Sequence, residues 1–133
     1  MEIKGRLLLF DELNSDGSLF TKDCNITIPE KMPLVWNFKL HDPDDILGTA
    51  IVKRDDEGLI LTGEIINQKF SDLLNKEVIE NIGLGIGGFY NQLKYDETEY
   101  VKRIITSCNL VLSSIVTDPV NPKYTFEIIE SED

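Results

Sequence analysis

The chain has 133 residues, with 13 Lys and Arg against 24 Asp and Glu, for a formal charge of −11 at pH 7. That length suits one domain over 1–133, and a hydrophobic share of 41% excludes wholesale disorder, which couples low hydrophobicity to high net charge. The same acidity, with a pI near 4.4, argues against nucleic acid and anionic membrane surfaces as partners, because both are recognised through Lys and Arg.

The first strand is expected over 3–10, an apolar stretch that leads into the turn residues Asn14, Ser15, Asp16 and Gly17. Its four apolar residues at 7–10 are too few for a secretory signal, so the protein is not expected to be secreted. No apolar run approaches the roughly 18 residues of a membrane helix. Short strands follow at 25–28, ending at Pro29, and at 34–38, entered through Pro33. The acidic stretch at 41–45 cannot be regular structure, because Pro43 restricts the residue before it. Strands at 49–53 and 59–65, joined by Asp55, Asp56, Glu57 and Gly58, read as a hairpin.

A helix is predicted over 71–82. Phe70, Leu73, Leu74, Val78, Ile79 and Ile82 recur on one face, Ser71 or Asp72 caps the start, and Gly83 ends it. A glycine-dense segment at 83–88 then passes into a strand at 89–95, followed by a polar turn from Asp96 to Glu99. Stretches 103–107 and 109–116 read as paired or continuous strands, 124–129 alternates once more, and the acidic tail at 130–133 is expected to be flexible. The fold class is therefore α+β, mostly antiparallel and barrel-like, with one main helix packed on the sheet.

The motifs yield little chemistry on their own. Gly83, Gly85 and Gly88 satisfy a GxGxxG expression, but the phosphate-binding version needs a strand before and a helix after, and here the order is reversed. Glu12, Asn14, Asp16, Gly17, Leu19 and Asp23 partly mimic a calcium loop, yet Glu stands first, Asp last and the flanks are β-like, so a polar hairpin turn is the better reading. No metal and no cofactor is expected. Cys24 and Cys108 have neither CxxC spacing nor a His-rich partner segment and read as two reduced thiols. Phe10, Trp36, Phe89 and Tyr90 read as core. The single histidine, His41, would need a nucleophile within hydrogen-bond reach to act as a base, and spacing alone does not complete that constellation.

Taken in order, these residues resemble the tailed-phage prohead (head maturation) proteases, whose fold is related to the herpesvirus capsid-assembly protease. The likeness is carried by the opening strand with Asn14-Ser15-Asp16-Gly17, and by Pro33-Leu34-Val35-Trp36 followed by His41-Asp42-Pro43-Asp44. It continues through Asp56-Glu57-Gly58-Leu59 with Thr62-Gly63-Glu64, and through Gly83-Leu84-Gly85-Ile86-Gly87. It ends with Leu112-Ser113-Ser114-Ile115-Val116-Thr117-Asp118-Pro119-Val120-Asn121-Pro122. It spans 3–123.

The resemblance retains the family's histidine as His41 but puts Gly85 at the position of the nucleophilic serine and Leu112 at that of the acid. It implies a catalytically inactive member, with His41 vestigial. Such a protein would bind phage capsid, scaffold or portal protein, or further copies of itself, in the bacterial host cytoplasm or the phage particle. One alternative is an active protease pairing His41 with Ser113 or Ser114, of which strand alternation lets only one reach the site. Another is an acidic inhibitor or nucleic-acid mimic, motivated by the charge of −11.

Overall fold

The computed structural model describes residues 1–40, 42–76, 82–95 and 103–129. Among them are eight strands: β1 (Glu2–Leu9), β2 (Ser18–Thr27), β3 (Met32–Trp36), β4 (Ile46–Arg54), β5 (Gly58–Ile65), β6 (Ile82–Tyr95), β7 (Arg103–Thr117) and β8 (Phe126–Ile129). One α-helix, α1 (Gln68–Asn75), follows β5, and a 3₁₀ turn at Pro43–Asp45 precedes β4. The expected α+β class holds at that level.

The longest strand, β7, organises the sheet. Along one edge it takes β6 in antiparallel register, from Ile82 opposite Thr117 to Tyr95 opposite Arg103. Its other edge is filled end to end by two parallel strands. Residues of β2 lie opposite Arg103 to Asn109, and Leu34, Val35 and Trp36 of β3 lie opposite Ser113, Ser114 and Ile115. Pro29, which has no N–H to donate, stands in the short break between them. From β3 the sheet continues antiparallel through β4, β5, β1 and β8. The core includes Ile3, Leu34, Leu59, Leu61, Leu84, Ile105 and Ile115, none of them measurably exposed. Each such side chain contributes about 1.5–3 kcal/mol through burial.

The helix starts earlier than its sequence suggests. Asn67, not Ser71 or Asp72, supplies the cap, its side-chain oxygen accepting the Phe70 N–H at 3.1 Å. Phe70 and Leu74 face the core, and the Phe70 ring meets Trp36 with centroids 5.5 Å apart, which fixes the helix over β3. Ile82 and Gly83 belong to β6 rather than to the helix end. In 82–88 the apolar residues fall on even positions and most glycines on odd ones, a period-two pattern that suits a strand. Val78 and Ile79, the turn at 96–99 and the tail at 130–133 lie outside the described residues. Phe89, expected in the core, is 68% exposed because it points to the opposite face of β6 from Tyr90.

The sheet is not closed into a barrel: no ladder among the described residues joins β6 to β1 or β8. One residue spans that gap instead. The Tyr124 carbonyl accepts the Leu84 N–H of β6 at 2.9 Å, while its hydroxyl accepts the Leu9 N–H at 3.2 Å and donates to Asn14 Oδ1 at 2.8 Å. Tyr124 is 1% exposed, and burial pushes its phenol above the usual range, keeping it a neutral donor. A second tie holds the β4–β5 turn to β1: Arg6 grips Asp55 through two bonds of 2.9 and 3.0 Å. Asp55 also accepts the N–H groups of Glu57 and Gly58.

Tyr124→Phe leaves the Leu9 N–H and the Asn14 oxygen without a partner. It should cost about 1–3 kcal/mol, read as a lower urea midpoint at unchanged slope. The hydrogen bonds from Arg6 and the turn hold the folded Asp55 carboxyl down at about 2, against about 3.9 in an unfolded chain. Their contribution is complete above the unfolded value and disappears as pH falls toward the folded one. Urea midpoints measured across that acid range should fall less steeply for Asp55→Asn than for the native chain.

Candidate functional site

The positions singled out by the sequence converge on the end of β3 and the β6–β7 pair, apart from His41, which lies outside the described residues. Gly85 sits on β6 directly opposite Ser114 of β7. Above it lies the ring of Phe38, delivered by an unusual turn. After Trp36 ends β3, Asn37 and Phe38 both take positive φ, 48° and 59°, a conformation that strains a bulky residue. Three bonds to β7 hold it: Asn37 N–H to the Ile115 carbonyl at 2.9 Å, Phe38 N–H to Ser114 Oγ at 3.0 Å, and Thr117 N–H to Asn37 Oδ1 at 3.0 Å. A Cβ added to Gly85 would stand 2.7 Å from the tip of the Phe38 ring. The missing side chain at residue 85 is thus the seat of an aromatic ring.

Leu112 lies opposite Gly87, over which its branched end folds. It brings an apolar contact where the resemblance wants a carboxylate. Ser113 and Ser114 are both fully buried, although alternation sends them to opposite faces, because the sheet around β7 is covered on both sides here. Ser113 Oγ reaches the Pro33 carbonyl at 3.4 Å. Ser114 Oγ lies 3.2 Å from the Val35 carbonyl while accepting the Phe38 N–H. Both hydroxyls therefore serve to bind β3 to β7.

Beside Gly85 opens a cavity of about 410 Å³ between β1, β6 and the segment that carries Tyr124. Leu7, Leu8, Phe20, Leu84 and Val116 make it mainly apolar. One wall is polar. Asn14 donates to Ser18 Oγ at 3.1 Å, and Ser18 donates to Asp16 Oδ1 at 2.6 Å. Asp16 pairs in turn with Arg103 at 3.2 Å. Ser18 spends its hydroxyl proton on one oxygen of the Asp16 carboxylate, and Arg103 holds the other. The wall closes on itself, and the rest of the cavity suits an apolar group.

Sequence reasoning had found Asn14, Asp16 and Gly17 as a turn, and Gly17 does take φ of 81° there. It had not seen that the turn's side chains face this cavity, because only the β1–β6 gap creates it. Among the described residues no three His, Cys, Asp or Glu side chains are grouped as metal ligands, and no helix is long and apolar enough to cross a membrane. Compared with protein-family models, curated proteins and solved structures, the chain matches none.

The contact between Gly85 and Phe38 is testable as a pair. Gly85→Ala should destabilise by about 1–3 kcal/mol through overpacking. In a Phe38→Ala background the same change should be close to neutral, so a double-mutant cycle should return a coupling above about 0.5 kcal/mol. By contrast, a methyl at Gly48 would meet the Glu64 carbonyl of the neighbouring strand, so Gly48→Ala should be costly in either background.

Proposed function

We propose that the chain is a catalytically inactive domain of prohead-protease fold, a barrel-like architecture here spanned by Tyr124, that serves phage capsid assembly or virion structure by binding other proteins. The observation that carries this reading is the pairing of Gly85 with Phe38: an aromatic ring lies where a side chain at residue 85 would stand, the position that the resemblance gives to the nucleophile. Leu112 at the acid position supports it. The two serines also argue against a displaced nucleophile, since each is fully buried with its hydroxyl turned to a carbonyl of β3. A serine hydroxyl tied in this way would have to abandon the β3–β7 junction to attack a substrate.

In this reading the partners are capsid, scaffold or portal proteins, or further copies of the chain, met in the host cytoplasm or the particle. The charge of −11 steers the chain toward basic surfaces. Mixing the protein with capsid, scaffold and portal proteins of a tailed phage, followed by size-exclusion chromatography and intact-mass analysis, should give a complex whose components all keep their full masses. A partner shortened at a discrete site, by activity that survives repurification, would overturn the proposal.

A further inference from the structure

The cavity beside Gly85 has two unlike ends. Its interior is apolar: Leu7, Leu8, Phe20, Leu84 and Val116 line it, and all five are buried. The polar side chains within it bond to one another. The Tyr124 hydroxyl donates to Asn14 Oδ1 at 2.8 Å, Asn14 donates to Ser18 Oγ at 3.1 Å, and Ser18 donates to Asp16 Oδ1 at 2.6 Å. A trapped water needs about two to four polar partners, and side chains satisfied in this way offer it few. At about 410 Å³ the space exceeds the roughly 150 Å³ in which an apolar cavity already takes up benzene. It falls within the roughly 300–1,000 Å³ of small-molecule sites.

The rim is different. Thr117 and Asp118 line the cavity where the chain leaves β7, and both are exposed. Asp118 takes φ of 54°, and no hydrogen bond or ion pair among the described residues holds its side chain. The other charged residue of the lining is Asp16, whose carboxylate is already matched by Arg103 at 3.2 Å. Asn37 Oδ1 accepts the Thr117 N–H at 3.0 Å. That bond brings the next residue of each partner, Phe38 and Asp118, to the same rim, with Phe38 51% exposed. An unmatched carboxylate and an aromatic ring both attract a cation.

We infer that this cavity is a binding site for a small organic amine, which places its apolar body between β1 and β6 and its ammonium group at the rim beside Asp118. The body gains by leaving water for a lining that asks for no hydrogen bonds. The ammonium stays in contact with solvent, so it keeps its charge without the cost of burial. An alcohol of the same shape fills the interior equally well but lacks the attraction at the rim. A carboxylate of that shape is repelled there, by Asp118 and by the charge of −11 on the whole chain. The site rests on the cavity and its rim and is independent of the function proposed above.

Three ligands of one shape test this by calorimetric titration at neutral pH and low salt: naphthylethylamine, naphthylethanol and naphthylacetate. The amine should bind one to one. The alcohol should bind about two- to fivefold more weakly, the difference that an exposed ion pair makes, and the carboxylate weakest of all. Asp118→Asn, at a backbone conformation that Asn adopts readily, should lower the amine to the affinity of the alcohol and leave the alcohol unchanged. Val116→Phe, which puts a larger side chain into the cavity, should abolish binding of all three. Should that variant fail to fold, methyl resonances of Leu7, Leu84 and Val116 in the native chain should shift on adding the amine and so locate the site. The inference is overturned if the amine does not saturate at one per chain, or if the three ligands bind alike. It is equally overturned if Asp118→Asn leaves the amine unchanged, or if the shifts map to another surface.

Discussion

A fifteen-residue central strand must have both edges paired and its buried faces covered, and most of this molecule is arranged to meet that requirement for β7. Its outer edge takes all of β6, and its inner edge takes β2 and β3 in succession. Four consecutive residues, Ser113 to Val116, are buried, so polar side chains among them need partners inside the protein. The serines find them in the carbonyls of β3, and Ser114 also accepts the N–H of Phe38. The strained turn at Asn37 and Phe38 is thereby held to β7, and it brings the aromatic ring onto Gly85. The state of the candidate site follows from how β7 is sealed.

The same logic explains the cavity. β6 and β1 are brought near one another but left unpaired, and Tyr124 spans the gap by bonding to both, with Asn14 as the third partner. What remains beside it is an apolar space with one self-satisfied polar wall. Such a space suits an apolar group.

Much of the fold was legible where local rules act. The β4–β5 hairpin follows from the turn residues 55–58 and the alternation on either side, and β1 from its apolar run. The helix was misplaced because Ser71 and Asp72 look like caps, whereas Asn67 lies four residues further upstream and its role depends on where β5 ends. The glycines of β6 were read as a passage because glycine weakens a strand locally. Their tolerance here comes from Phe38 and Leu112 packing onto them, which no local pattern reveals. Phe89 was assigned to the core on hydrophobicity alone, though its neighbour Tyr90 takes the inward face. At the site, the reading of Gly85 and Leu112 as replacements for a nucleophile and an acid came from the resemblance alone, while the Phe38 ring over Gly85 had no signal in the sequence.

The proposed binding role requires that no serine among the described residues is activated. Intact-mass analysis after treatment with a fluorophosphonate, which captures activated serine hydroxyls, tests it most directly when run beside a reactive protease. The account predicts an unchanged mass for the folded chain under conditions that label the control completely. A single stoichiometric adduct, abolished by His41→Ala, would contradict it.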